Sequence, residues 1–258
     1  MKTHYTIPFF IPHEGCPFTC IFCSQKKISG RLPGITPADI KGGITERLKT
    51  IPRSGTWRET AFFGGSFTAI PMEKQEEYLR AVWPFIRRGA INAIRVSTRP
   101  DFIDDERLDL LKRYGVETIE LGVQSLDDCV LLRACRGHPA GDVRRASRLI
   151  IKRGFTLGHQ LMVGLPGSTA EIEMKSARMS CLMGAAEARI YPVVVIRGTA
   201  LAGMWKNGAY KPLTGRTAIE RSAKLVDIFK KRDVTILRVG LHPSRDLLSG
   251  SAVLAGPF

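Results

Sequence analysis

The 258-residue chain lacks a membrane-spanning stretch: no apolar run approaches the ~20 residues that cross a bilayer. Its start, Met1-Lys2-Thr3-His4-Tyr5, has no charged-then-apolar leader with a cleavage site. A cytoplasmic location is therefore expected, where thiols stay reduced and clustered cysteines point to metal rather than disulfides. No low-complexity tract or internal linker interrupts the chain, and its length suits one α/β-barrel-sized domain over residues 1–258. Acidic residues are scarce: 24 Asp and Glu stand against 39 Lys and Arg, a net charge of +15 at pH 7. That surplus, with a pI near 9.9, suggests a polyanionic partner, of which RNA is the simplest.

What is present begins with sulfur. Cys16, Cys20 and Cys23 fall within eight residues at spacing C-x3-C-x2-C, in Gly-Cys-Pro-Phe-Thr-Cys-Ile-Phe-Cys. Thiolates are the usual ligands of iron–sulfur clusters, and a short loop can wrap one side of a cluster at this spacing. Three ligands on a four-iron cubane leave one iron open, and an open site is where a metal centre does chemistry. A zinc site would need a fourth close Cys or His, for which only His13 and the distant cysteines are candidates. Cys129, Cys135 and Cys181 are scattered and read as packing residues.

The rest of the chain alternates strand, loop and helix. Strands are expected over 6–11, 60–63, 91–97, 117–122, 156–163 and 188–196, with a seventh apolar run over 234–241. Thr36-Pro37 opens a helix to about Lys49 that Gly42-Gly43 weakens; others are expected over 73–88, with a kink at Pro84, and over 105–114, 142–152 and 217–231. One more helix runs to about Met183. Regular alternation requires a parallel sheet, and six such units suit an incomplete (β/α)6 TIM-like barrel. In such barrels the site lies at the C-terminal strand ends, and the polar and Gly-rich motifs fall there.

Gly64-Gly65-Ser66-Phe67 ends one strand, and its two glycines let a ligand approach the backbone. Gln124-Ser125 closes another strand, with Arg136-Gly137-His138 just beyond; Arg136 has the donor fork that pairs with a carboxylate. Gln160 lies near the end of the fifth strand.

With Phe22 before its last cysteine, the C-x3-C-x2-C loop resembles the signature of the radical S-adenosylmethionine superfamily. The resemblance implies a 4Fe–4S cluster on Cys16, Cys20 and Cys23 whose free iron chelates S-adenosylmethionine. Reductive cleavage then yields a 5′-deoxyadenosyl radical that abstracts hydrogen from a substrate. By the same resemblance Gly64, Gly65 and Ser66 form the motif that contacts the methionine amino group. Gln124, Arg136 and Gln160 match further cofactor-binding positions in relatives such as the coproporphyrinogen dehydrogenases. Those relatives carry Asp where this chain has Gln160, and Glu where it has Ser97. A small flavodoxin- or ferredoxin-type protein is the implied electron donor.

The stretch Arg189-Ile190-Tyr191-Pro192-Val193-Val194-Val195-Ile196-Arg197-Gly198-Thr199, like Ser97-Thr98-Arg99-Pro100-Asp101, resembles the Elongator catalytic subunit, a tRNA wobble-uridine modifying family. The likeness covers nearly all of 7–243 but only the radical domain. No Arg/Gln-x-x-Gly-x-Gly/Ala loop for acetyl transfer is present. RNA, and tRNA in particular, is thus the expected substrate. The alternatives are oxidation of a small molecule and a non-catalytic cluster protein that binds RNA. Arg144, Arg145, Arg148, Lys152 and Arg153 share one expected helix face that could track phosphates. The apolar end, residues 252–258, suggests a natural protein that continues further.

Overall fold

Strand alternation sets the architecture. Along β1 (Thr3–Phe10), Ile7 and Phe9 are buried against helices, while His4, Thr6, Pro8 and Phe10 point to the opposite face. The same two-residue period recurs in β2 (Thr56–Phe63), β3 (Ala93–Thr98), β4 (Val116–Gln124), β5 (Thr156–Val163) and β6 (Glu187–Pro192), whereas in the edge strand β8 (Thr235–Val239) the adjacent Leu237 and Arg238 both reach the interior. One set of side chains meets the helices, and the other lines a shared interior. This computed structural model describes residues 3–11, 14–17, 20–24, 34–241 and 252–257; His13 lies outside them.

The seven strands pair in parallel in the order β1-β2-β3-β4-β5-β6-β8. Among the described residues β1 and β8 are the two edges, so the curled sheet is a half-barrel, open on one side. The expected incomplete barrel is what forms.

Helices cover its outer face: α1 (Pro37–Leu48), α2 (Met72–Arg87), α3 (Asp105–Arg113), α4 (Asp128–Arg133), α5 (Ala140–Lys152), α6 (Ala170–Leu182), α7 (Ala200–Lys206) and α8 (Gly215–Lys230). Local chemistry explains their ends. Thr36 accepts from Asp39 N at 3.2 Å, while the Asp39 carboxylate takes the Thr36 N–H at 2.8 Å, a reciprocal cap. Asp104, Asp127, Thr169, Thr199 and Thr214 cap five other helices the same way from the side-chain end. Gly42-Gly43 do not break α1. A Cβ on Gly43 would meet the Phe9 ring at 2.8 Å, so this glycine lets α1 lie close on β1. Pro84 is likewise accommodated within α2.

One expected strand divides. Residues 188–196 break after Pro192, and β7 (Val195–Ile196) pairs antiparallel with β9 (Val253–Ala255) instead of continuing the sheet. Helix α4 falls in the helical stretch expected after Ser125, whereas α7 has no counterpart among the expected elements, being too short for a periodic signal. Together these pieces build a second, smaller core. Ile21, Val130, Leu165, Val195, Leu201 and Tyr210 cluster there, with Phe22 and Leu254 against them. At about 1.5–3 kcal/mol for each large side chain buried, this cluster holds the cysteine loop over the strand ends.

Candidate active site

The interior face of the half-barrel encloses a cavity of about 540 Å³. Its floor is ionic. Arg95 is 2% exposed and donates to Glu59 Oε1 and Glu120 Oε1, each at 2.9 Å, and to Glu187. Arg189 forks onto Glu120 from the other side, at 2.7 and 3.0 Å. Burial opposes the charge on Arg95, but the Glu187 hydrogen bond and the three carboxylates raise its pKa above the ordinary value. Burial pushes the Glu120 carboxyl up, yet the Arg189 hydrogen bond and the charges of Arg189 and Arg95 hold it below 4.5. This floor was not foreseen. Its signal was available: charged residues at alternate positions of otherwise apolar strands, which only a barrel interior can pair.

The mouth is built differently. Ile11 N donates to Phe63 O at 2.8 Å as the chain leaves β1, and Ser66 N donates to Glu14 O at 2.8 Å. The cysteine loop therefore lies directly on the Gly64-Gly65 loop. A Cβ on Gly65 would stand 2.2 Å from Glu14 O, and one on Gly15 (φ +70°) 2.2 Å from Ser66 O. Gly65 is thus required by the chain's own backbone. Cys23 N donates to Cys20 O, and Ile21 is clamped by Ala134 O and Leu201 N. Cys16, Cys20 and Cys23 line the cavity together with Gly64 and Gly65. No group of three or more His, Cys, Asp or Glu side chains is already gathered at metal-binding separation among the described residues.

Gln124 and Arg136 reach the same cavity. Gln124 ends β4 at a register irregularity with φ +65°, a conformation unusual outside glycine, and its buried Oε1 has no hydrogen-bond partner. The Arg136 guanidinium donates to Cys20 Sγ at 3.2 Å and to Gly122 O, while its Nε is buried without a partner. Arg99, forked onto Asp101 at 2.9 and 3.0 Å, donates to Arg136 O at 2.6 Å and fixes that segment. Both side chains thus carry a buried polar atom without a partner beside the cavity that their residues line. His138, beside this segment, is buried; that burial and the Arg136 charge lower its pKa to about 4.

Ser66 is fully buried, and its hydroxyl bonds Thr98 Oγ1 at 3.0 Å and accepts from Arg99 N at 3.2 Å. One expectation needs correction: Cys129, on the short surface helix α4, and Cys135, just beyond it, are exposed rather than packed. Gln160 does line the cavity, with its amide donating to Glu120 Oε2 at 2.9 Å and Ser97 Oγ at 3.1 Å. Of the basic residues on α5, Arg145 is paired with Asp142, and Arg153 just past the helix end with Asp109 and Asp105.

Comparison with known proteins now bears on the site. The Radical SAM superfamily model matches residues 10–177, and the Radical_SAM C-terminal domain model matches 186–258. An uncharacterized protein of Methanocaldococcus jannaschii is 31% identical over 216 residues, covering 77% of this chain and 64% of that protein. The tRNA uridine(34) acetyltransferase of Methanocaldococcus infernus is 28% identical over 258 aligned positions, covering 83% of this chain and 47% of the enzyme. In three dimensions, archaeal Elp3 of M. infernus lacking its N-terminus superposes with a TM-score of 0.72 at 22% identity, over 99% of this chain and 60% of that one. The chain thus spans less than two thirds of each of these relatives. With a superfamily model matched across most of its length, and half-barrel and cysteine loop arranged as described, the chain belongs to the radical SAM superfamily.

Proposed function

We propose that the cavity mouth binds a 4Fe–4S cluster and S-adenosylmethionine, and that the enzyme uses them to modify RNA, with tRNA the favoured substrate. The observation that carries the first part is convergence: Cys16, Cys20, Cys23, Gly64, Gln124 and Arg136 line one cavity at the C-terminal strand ends. Superfamily membership supports the same pair of cofactors.

In this reading Cys16, Cys20 and Cys23 hold the cluster. Gly64, whose φ of +102° excludes ordinary side chains, turns its backbone to the methionine end of the cofactor. Gln124 Oε1 accepts from the cofactor, and Arg136 Nε donates to it. Arg136 also steadies the Cys20 sulfur through its Nη1 donor. When bound, the cluster and S-adenosylmethionine supply a one-electron cleavage that leaves a carbon radical able to take hydrogen from a substrate. The chain's own part is position and exclusion of water. Met162, Tyr191 and Val194 close the cavity around the reacting space, while Glu120 holds Gln160 and Arg189 in place beneath it.

RNA as substrate rests on the net charge of +15 and on the tRNA-modifying relatives. A flavodoxin- or ferredoxin-type donor and a cytoplasmic location belong to the same reading. Anaerobic reconstitution, followed by dithionite and S-adenosylmethionine, should yield 5′-deoxyadenosine. A cluster-loaded sample that yields none would overturn the enzymatic reading. Mass spectrometry of tRNA from cells with and without the protein should reveal one missing modified nucleoside; identical spectra would remove tRNA as substrate.

A further inference from the structure

A second cleft, of about 540 Å³, opens beside the mouth, and the loop Gly164–Ser168 between β5 and α6 forms one of its walls. The two spaces are neighbours. Met162 lines the cavity and Gly164 the cleft, while Arg136 lines the cavity and Arg133, at the end of α4, the cleft. None of the residues assigned above to cluster or cofactor lines this second space.

The wall's own polar groups are spent on one another. Glu173 accepts from Gly164 N at 2.7 Å and from Ser168 Oγ at 3.1 Å, and the Tyr210 hydroxyl donates to Gly164 O at 2.8 Å. Arg221, which lines the cleft, forks onto the same Glu173 at 2.7 and 2.5 Å, so those two charges cancel. Arg133 and Lys211 also line the cleft, and no carboxylate does. No hydrogen bond or ion pair joins either of these two cations to another described residue. The acids nearest in sequence are engaged elsewhere: Asp127 accepts from Val130 N at 3.0 Å, Asp128 from Ala140 N at 2.7 Å, and Glu171 bonds Thr169 at the start of its own helix. By contrast, Arg145 and Arg153 at α5 have carboxylates of their own.

Arg133 is seated rather than loose in solvent. Gly167 (φ +80°) has no side chain, and a Cβ there would stand 2.4 Å from Arg133 Nη1 and 3.0 Å from its Cδ. The arginine therefore lies across the Gly167 backbone, and part of its rotamer freedom is lost before any ligand arrives. Leu165, Pro166, Met204 and Leu213 add apolar lining, which strengthens attraction between a cation and an anion. A forked guanidinium and an ammonium on one such cleft suit a phosphate group.

We propose that this cleft holds a phosphate of the RNA substrate between Arg133 and Lys211, while the nucleotide to be modified occupies the cavity. The inference rests on the RNA reading above and gives that substrate a point of attachment outside the reacting space.

The test is fluorescence anisotropy of a labelled tRNA transcript with the cluster-loaded protein over a salt series. Losing one phosphate contact on a single strand lowers the slope of log affinity against log salt by about 0.7, which is about fivefold at 0.1 M salt. The double variant Arg133→Ala/Lys211→Ala should show both changes. Lys175→Ala/Arg178→Ala, which removes two exposed cations from α6, should show neither. In a synthetic stem-loop of the same tRNA, uncharged methylphosphonate placed at one phosphate after another should find a position that weakens wild type and leaves the cleft variant unaffected. An equal shift in the α6 variant would mean that only net charge is being read, and the cleft would be no site. If the cleft variant's RNA curve superposes on wild type, the placement is wrong while the RNA reading stands. Calorimetry with inorganic phosphate then identifies the source: binding to wild type but not to the cleft variant would give the cleft to a free phosphate compound instead of RNA. A wild-type protein that binds no RNA at any salt overturns both readings. Thermal melting of each variant, expected to match wild type, excludes misfolding as the cause.

Discussion

At the floor of the barrel, Arg95 and Arg189 meet Glu59, Glu120 and Glu187, and each of these charges has an opposite within hydrogen-bonding distance. At the mouth, Gln124 Oε1 and Arg136 Nε are just as thoroughly removed from water and have no partner. Both ends are polar and lie within one half-barrel, so polarity alone does not mark a site. Satisfaction does. A network that answers its own charges holds strands together, whereas unmet groups wait for something that is not part of the chain.

The largest effect that would break this comparison lies at the mouth. Replacing Cys20 by Ser should abolish cluster binding, read as bound iron and visible absorbance after reconstitution, whereas Cys129→Ser should load normally. Equal loading in both variants would deny the loop its role. Next comes the floor. Arg95→Met leaves the buried Glu59 and Glu120 and the half-buried Glu187 without their common partner and should cost about 3–5 kcal/mol in urea denaturation. A loss below 1 kcal/mol would show that the network contributes little to holding the strands.

Gly65→Ala is intermediate. Its methyl must displace the Glu14 and Ile11 carbonyls, so stability should fall by about 1–3 kcal/mol, with weaker cluster loading alongside. An unchanged protein would mean that the two loops can part freely.

Acid should separate the two ends further. His138 is held neutral down to about 4, while the unfolded chain takes up its proton below 6.5. Stability should therefore drop as pH falls from 6.5 toward 4, and His138→Gln should remove that portion of the fall. Glu120 has the opposite sign of linkage. Its carboxyl is depressed below 4.5, so its contribution is complete above that value and is lost only as pH falls through the lower folded pKa. Between 6.5 and 4.5, Glu120→Gln should leave the slope of the stability curve unchanged.

The smallest change in stability belongs to Gln124→Gly. Removing an unsatisfied amide and relieving φ +65° should leave stability within about 1 kcal/mol of wild type. Calorimetry should nevertheless show S-adenosylmethionine bound at least about tenfold more weakly, the value of one hydrogen bond to a charged ligand. Unimpaired cofactor binding would mean that the orphan oxygen serves something else.

Much of this was legible in the residues. C-x3-C-x2-C and Gly64-Gly65 are local signals, readable because ligand spacing and backbone permissiveness are properties of a few consecutive positions. The repeating strand–helix pattern was enough for the half-barrel, since hydrophobic periodicity registers which face is covered. What the Ser66 hydroxyl does was not legible, because its partners Thr98 and Arg99 lie more than 30 positions away. The division of 188–196 at Pro192 depends on β9, far along the chain, offering β7 a partner. Neither contact leaves a trace in the immediate neighbours.

From the amino-acid order alone came the thiol loop, the glycine turn, the parallel topology and the excess of positive charge, each set by nearest-neighbour chemistry or by composition. Only the tertiary structure decided which buried polar groups answer one another. Arg95, Glu59, Glu120 and Glu187 come from four different strands and meet only once the sheet has curled. Arg238 has no carboxylate opposite it because strand register sets Arg189 there instead. Pairing of charges is a matter of distance in space, and folding, not sequence separation, sets that distance.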